Sequence, residues 1–589
     1  MVRATEQLDL YDVNGRSALL PEDRSRALAQ SVDSISLDAA RSVAHRVAVK
    51  WWNTLVEMRN VNERSFPTIP YGESRSDLPR QAIESADALG TELAQKSLTD
   101  AAAEIGRLYC MLLAPAHRRA HGIFYTPPAL VRRLLDSAEA AGHDWKAGKT
   151  IDPSCGGGAF LIEAASRIVN ALGPVDPAIL IAAVSARLIG WDLDPFAAWL
   201  SHVCVEALLL PQIIASGKRL GPITEARDSL ADWRGHEGVY ALVMGNPAFG
   251  KIKDYEALRE RFRRSIYGHP NLYGLFTDLA VHLASPSNGL ISYLTPTSYL
   301  GGQYFKALRR LLTQEARPVT IDIVASRLDI FEDVLQEVAL SIFRRGPSEK
   351  AITCSIIYAE KFGLRIETTG LFKLPSHPDA AWLVPKRPGD APFVERMLSM
   401  PSRLVDWGYA VSTGPLVWNR KKEQLHDVSR SGSVPIVWAE AVNCQGKFRL
   451  KPQKRNHAEY YEPSGPGDPN LVRKPCLLLQ RTTSKEQDRR LISAILPASV
   501  IKMHGAVAVE NHLNMIVAVK RKPAIPMDVL GAFFASETAD RVIRCINASV
   551  AVSASEIEAM PLPAAAEIIS AMAAKNPEAV LRELYGLTE

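Results

Sequence analysis

Two short stretches of this chain combine residue types suited to chemistry. Asn246-Pro247-Ala248-Phe249 closes an apolar run, Tyr240-Ala241-Leu242-Val243-Met244-Gly245. Upstream stands Asp152-Pro153-Ser154-Cys155-Gly156-Gly157-Gly158-Ala159-Phe160-Leu161. A planar amine is a poor nucleophile because its lone pair is delocalised into the ring or carbonyl. Acceptors on both N–H bonds draw the nitrogen toward a tetrahedral shape and localise that pair. The side-chain oxygen of Asn246 and the carbonyl of Pro247 suit this task, with proline stiffening the turn. Phe249 supplies a flat face for stacking. The glycine turn after Asp152 lets a ligand approach the backbone. The two stretches together describe a nucleotide-like pocket beside one that grips a planar amine.

The glycine spacing does not match a dinucleotide fingerprint. After Gly156-x-Gly158 the third glycine position is Leu161, so no pyrophosphate cradle is implied and NAD is disfavoured. A second turn, Gly190-Trp191-Asp192-Leu193-Asp194-Pro195, offers Asp192 as an acceptor for ribose hydroxyls. Asp192 comes 34 residues after Gly158, longer than the usual ~20, and the helical insert Val175 to Arg187 accounts for the excess. A third turn, Arg227-Asp228-Ser229-Leu230, offers Asp228 to an exocyclic amine. The plainer reading of each aspartate is a turn or helix cap.

These turns need strands behind them. Apolar runs at Thr150-Ile151, Leu188 to Trp191, Ala241 to Met244, Gly289 to Leu294, Thr320 to Val324 and Val338 to Phe343 alternate with helical segments. That alternation predicts an α/β fold with a mainly parallel, doubly wound, Rossmann-like sheet over residues 116–360. Residues 1–115 read as a helical N-terminal region, with a loop from Ser65 to Pro79. The Pro/Gly-rich passage from Leu374 to Pro392 reads as a linker. Residues 393–563 are richer in β-branched runs and loops, and 564–589 read as a helical tail.

The 589 residues suit about three domains at roughly 100–200 residues each. No apolar stretch approaches the ~18 residues of a membrane helix, and the N-terminus has no apolar secretory core. Seven scattered cysteines without a CxxC pair indicate neither a disulfide framework nor a metal site, so a reduced, cytoplasmic setting is expected. The net charge is +5, yet residues 401–525 hold 20 Lys+Arg against 10 Asp+Glu, leaving −5 for the rest. A basic C-terminal third suits a polyanion such as nucleic acid, or is simply a solvated basic surface.

The order of these motifs resembles the gamma-class N6-adenine DNA methyltransferases of restriction–modification systems, the Asn-Pro-Pro-Tyr/Phe type. Gly122-Ile123-Phe124-Tyr125-Thr126-Pro127-Pro128-Ala129-Leu130-Val131 is similar to that family's opening motif. The resemblance implies that Tyr125, Thr126 and Pro127 wrap the methionine end of S-adenosyl-L-methionine. It further implies that Asp152, Ser154, Gly156 and Gly158 lie beside methionine and ribose. Asp192 would hold the ribose, Asp228 and Leu230 the adenine, and Asn246 would border the cofactor. Asn246, Pro247 and Phe249 would be catalytic, with Phe249 and Phe331 against the base. Ala248 replaces the family's second proline, which puts the rigidity of the turn in question. Methyl transfer from a sulfonium needs positioning rather than a metal.

The implied substrate is adenine in double-stranded DNA, and a base inside a duplex must be flipped out at a cost of a few kcal/mol. The cationic run Arg259, Arg261, Arg263 and Arg264 can grip phosphates around it, or form a solvated helix face. Residues 393–563 resemble the family's target-recognition domains, with Arg481, Arg489, Arg490, Asn511 and Asn514 as candidates for DNA contact. No nuclease pattern is evident, and a separate cognate restriction endonuclease is a family expectation. Other readings remain: methylation of RNA adenine or protein glutamine, or a silent DNA-binding modification subunit.

Overall fold

The computed structural model describes residues 25–29, 36–62, 65–72, 78–250, 252, 256–269, 271–325, 337–346, 351–360, 363–450, 457–482, 488–546 and 551–587. Helices α1 (Leu37–Glu57), α2 (Arg80–Leu93) and α3 (Leu98–Leu112) come first. Ser36 and Ser97 start α1 and α3 by accepting the N–H of Ala39 and Asp100 at 3.2 Å. Next come α4 (Pro115–His121) and α5 (Pro128–Ala140). Every apolar run expected to be a strand is one. The central sheet contains β1 (Thr150–Asp152), β2 (Leu188–Asp192), β3 (Thr224–Ala226), β4 (Leu242–Gly245), β5 (Leu290–Pro296), β6 (Ala316–Val324), β7 (Val338–Arg345), β8 (Ile352–Glu360) and β9 (Gly363–Phe372). Strand β9 carries the sheet past residue 360.

The strand order is β3-β2-β1-β4-β5-β7-β6-β8-β9. From β3 to β5 all pairings are parallel, and β7 runs antiparallel between β5 and β6. Helices α6 (Ala159–Leu172) and α7 (Pro177–Arg187) link β1 to β2, and α8 (Pro195–Leu208) follows β2. The order reverses between β1 and β4, and such a switch point opens a crevice at the carboxyl ends of the strands. Register places Asp152 opposite Gly190 and Ile151 opposite Val243, so the turns after β1, β2 and β4 are neighbours. Strand β5 is buried along its whole length, which fits a parallel sheet covered on both faces.

Helices α9 (Glu256–Arg261), α10 (Leu272–Leu283) and α11 (Lys306–Glu315) complete this layer. Buried Trp51 and Trp52 of α1 belong to the same core as the sheet. At Gly157 a Cβ would stand 2.7 Å from Gly106 Cα, so α3 meets the glycine turn backbone to backbone. The helical N-terminal region is thus packed onto the layer of the central sheet.

The passage from Leu374 to Pro392 is not a free linker. Trp382, Leu383 and Val384 are buried, and Arg309 donates to the carbonyls of Asp379 and Ala380 at 2.9 Å. Helix α12 (Asp390–Leu398) begins inside the passage and runs through residue 393. Pro and Gly content leaves residues 374–389 without helix or strand, but three consecutive apolar residues still bury themselves.

The C-terminal third holds two small sheets. One has the order β10-β18-β15-β16, from β10 (Tyr409–Thr413), β15 (Cys476–Gln480), β16 (Ser493–Leu496) and β18 (Leu513–Ala518). The other has β11-β13-β12-β17-β14, from β11 (Leu425–His426), β12 (Val434–Val437), β13 (Tyr460–Tyr461), β14 (Leu471–Val472) and β17 (Val507–Val509). Alternation in β15 sends Leu477 and Leu479 into the main core and Leu478 into a separate one. The tail forms helices Ala565–Ala573 and Pro577–Leu584. Among the described residues no single helix is long and apolar enough to cross a membrane.

Candidate active site

The turn after β4 is anchored from three directions. Asn246 Nδ2 donates to Thr126 Oγ1 at 2.9 Å, in the loop before α5. Phe249 N–H donates to the Gly122 carbonyl at 3.4 Å. Gly250 N–H donates to Asn271 Oδ1 at 3.2 Å, and its carbonyl accepts the Leu272 N–H at 2.9 Å. Gly122 has φ +65°, and a Cβ there would overlap the Phe249 backbone. These clamps supply the rigidity that the missing second proline put in question, and Ala248 lies on the cleft wall. Asn246 Oδ1 is buried and accepts no hydrogen bond from the described residues.

Phe249 does not present its ring to the cleft. It is 8% exposed and sits behind Phe124, centroids 5.4 Å apart at 31°, with Tyr273 edge-on at 6.2 Å. Phe124 is the ring on the cleft wall. The expected flat face is therefore shared by a pair, because the loop from Gly122 folds over the turn.

The cleft has a volume of about 550 Å³ and is lined by Tyr125, Thr126, Asp152, Ser154, Gly156, Asp192, Asp228, Leu230 and Asn246. That volume falls in the range of small-ligand pockets. Asp152 is buried, accepts the Ser154 N–H at 3.0 Å, and is pushed up to about 8 by burial. Asp192 accepts Gly156 N–H at 2.8 Å and Asp194 N–H at 2.9 Å, and burial pushes it up to about 6. Asp228 accepts Leu230 N–H at 3.0 Å and Ala231 N–H at 3.2 Å through one oxygen, so it caps its turn while facing the cleft. Gly156 is open on its Cβ side, with no heavy atom within 4 Å.

Three expected residues stand back from this wall. Gly158, at φ +86°, packs on Ser201 of α8, where a Cβ would meet Ser201 Cα at 3.0 Å. Pro127 precedes α5 as its cap, and Pro247 is buried within the turn. Phe331 lies outside the described residues.

The arginine run divides. Arg261 donates to the Leu230 carbonyl at 2.8 Å, and Arg264 pairs with Asp278 at 2.7 Å and Glu315 at 2.9 Å, so both are structural. Arg259 and Arg263 sit on the exposed face, 3.8 and 3.6 Å from Glu256 and Glu260. In the C-terminal third, Arg490 and Asn514 are buried, against their expected contact with DNA. Arg490 is 1% exposed, with its backbone N–H donating to Asp540 Oδ1 at 2.6 Å. Asn514 is fully buried and donates to the Val552 carbonyl at 2.7 Å. Neither side chain reaches a surface on which DNA can lie. Arg481, Arg489 and Asn511 are partly exposed; Arg489 donates to the Ser536 carbonyl at 3.0 Å.

The motifs did not reveal the wall opposite the sheet. Leu37, Arg41, Gly106, Cys110 and His117 line the cleft from α1, α3 and α4. Nor did they point to Leu193, 67% exposed on the cleft wall directly after Asp192.

Residues 208–331 match the family model described as Eco57I restriction-modification methylase, a span that contains β4 and the turn after it. The chain is similar to the Type II methyltransferase M.BsuBI of Bacillus subtilis, 25% identical over 340 residues. It is also similar to the Type II methyltransferase M.PstI of Providencia stuartii, 24% identical over 341 residues. Each alignment covers 55% of this chain and 65% of the relative. Among solved structures, the Type IIL restriction-modification enzyme MmeI in complex with DNA superposes with a TM-score of 0.53 at 12% identity, over 97% of this chain and 92% of that one. That likeness is one of fold. Residues 208–331 thus match the Eco57I restriction-modification methylase model within a chain that shares the fold of MmeI.

Proposed function

We propose that this chain is a site-specific DNA-methyltransferase that moves a methyl group from S-adenosyl-L-methionine to N6 of an adenine flipped out of duplex DNA. It would serve as the modification component of a restriction–modification system. The observation that carries the reading is the state of Asn246. Its amide nitrogen is occupied by Thr126, which turns the buried Oδ1 into an acceptor with no protein donor among the described residues. A buried acceptor left without a donor costs about 1–3 kcal/mol, so it marks a ligand N–H. The similarity to Type II methyltransferases supports the same reading.

The residues suit the cofactor. Ser154 Oγ is a second buried group without a partner among the described residues, beside the open backbone of Gly156. Asp152 would face the amino-acid end, Asp192 the ribose hydroxyls, and Leu193 and Asp228 the adenine. S-adenosyl-L-methionine, when bound, supplies an electrophilic methyl group on a cationic sulfur. Asn246 Oδ1 and the Pro247 carbonyl accept the two N–H bonds of the substrate amine and concentrate its lone pair on nitrogen. The Phe124–Phe249 pair forms the aromatic wall against the base. Arg259 and Arg263, together with the basic C-terminal third, supply phosphate contacts.

Single-molecule sequencing of host DNA, with and without expression of this protein, tests the reading. One recurrent sequence bearing N6-methyladenine is expected. DNA left unmodified while purified protein methylates RNA or a protein amide would overturn it.

A further inference from the structure

Helices α1 and α3 carry none of the motifs, yet two of their side chains reach the turn after β2. Arg41 Nη2 lies 2.7 Å from Asp194 Oδ1, and the Tyr109 hydroxyl donates to Asp194 Oδ2. The pair is largely enclosed, with side chains 16% and 20% exposed for Arg41 and Asp194. Asp194 Oδ1 also caps α8 by accepting the Phe196 N–H at 3.0 Å. One carboxylate therefore joins α1, α3 and the start of α8.

The same residue controls Asp192. Asp194 N–H donates to Asp192 Oδ1 at 2.9 Å, and Gly156 N–H donates to Asp192 Oδ2 at 2.8 Å. Gly156 adjoins Gly157, against which Gly106 of α3 rests. Helix α3 thus touches both ends of one bridge: Gly106 at the glycine turn and Tyr109 at Asp194. Burial and the neighbouring Asp194 raise the Tyr109 hydroxyl far above its ordinary range, so it remains a donor. A carboxylate held on both oxygens before the ligand arrives loses little freedom on binding.

We propose that Arg41 and Tyr109 are positioning residues which, through Asp194, hold Asp192 and Gly156 in the geometry that receives the ribose of S-adenosyl-L-methionine. The N-terminal helices would then set cofactor affinity although they carry no cofactor motif. This rests on the methyltransferase reading above.

The test uses the full chain and S-adenosylhomocysteine as the calorimetric probe. Arg41→Met and Tyr109→Phe should each bind the probe about tenfold more weakly, as expected for loss of a charge-assisted contact. KM for the methyl donor should rise while kcat and DNA affinity stay near wild type, also where loss of the enclosed ion pair lowers Tm. Arg41→Lys should recover part of the loss. Variants that bind the probe like wild type, or that lose kcat and Tm with KM unchanged, would overturn the proposal. A wild-type protein that fails to bind the probe would instead overturn the methyltransferase reading, and this proposal with it.

Discussion

Asn246 Nδ2 donates to Thr126 Oγ1 at 2.9 Å, across 120 residues of chain. This bond fixes which end of the amide faces the cleft. Asn246→Ala removes the acceptor but leaves the clamps at Gly122 and Asn271 in place. Methyl transfer should fall by about 10²–10³ or more, the usual cost of losing one preorganised hydrogen-bonding group, while S-adenosylhomocysteine affinity stays within a few-fold. Single-turnover kinetics and calorimetry on the same preparation separate the two. Loss of cofactor binding alone would contradict the assigned role.

Thr126→Val tests the other partner. The side chain keeps its shape, the Asn246 amide loses its tether, and the oxygen is free to rotate away. The expected result is a drop of about tenfold in kcat, in line with one buried hydrogen bond, with Tm lowered by a few degrees at most. Unchanged kcat would mean that the turn alone orients Asn246.

Gly122 shows how closely the loop before α5 sits on the turn after β4. Its φ is +65°, and a Cβ would overlap the Phe249 backbone. Gly122→Ala must therefore separate the loop from the turn, on top of about 1–3 kcal/mol of backbone strain. It should lower Tm measurably and reduce turnover by at least a hundredfold. Phe124→Ala should cost as much turnover as Phe249→Ala, because Phe124 holds the cleft-facing position and Phe249 its support. A silent Phe124→Ala would return the stacking role to Phe249.

The sequence revealed the sheet because apolar runs ended in turn residues that only a strand end explains: Asp152 before the glycines, Asp192 before a helix, Asn246 before proline. It did not reveal the N-terminal wall. Arg41 and Asp194 are 153 residues apart, and nothing local distinguishes Arg41 from Arg46 on the same amphipathic helix. Composition also misled at Leu374 to Pro392, where Pro and Gly signalled a linker while Trp382 was already the evidence for burial. The basic surplus of residues 401–525 is real, but a charge count cannot tell Arg490 in the core from Arg481 near the surface.

That difference is measurable. DNA affinity should fall steeply with salt because contacts to phosphate release counterions. If Arg481 meets a phosphate, Arg481→Ala should reduce the salt slope by about one. Arg490→Ala should leave the slope unchanged and lower urea stability by about 3 kcal/mol, the scale for removing one partner of a buried charged network. A reduced slope for Arg490→Ala at unchanged stability would place its side chain on the DNA after all.

Asp152 and Asp192 make the cleft sensitive to pH in two opposite senses. Burial pushes Asp152 up to about 8 and Asp192 up to about 6 in the folded protein, whereas an unfolded aspartate titrates near 3.9. A raised folded pKa contributes stability that is fully present below about pH 4 and is lost as pH rises through about 8. Ligand-free Tm should therefore fall between pH 6 and pH 8.5. A ligand carrying an ammonium and a sulfonium charge favours the ionised carboxyl, so its affinity should rise over the same interval, by up to about tenfold per pH unit below the folded pKa. Calorimetry in buffers of different ionisation enthalpy should show proton release on binding near pH 7. Asp152→Asn removes the higher titration: Tm should flatten above pH 6, and S-adenosyl-L-methionine affinity should lose its rise between pH 7 and 8.5. If the variant kept that rise, the titrating group would lie elsewhere in the cleft.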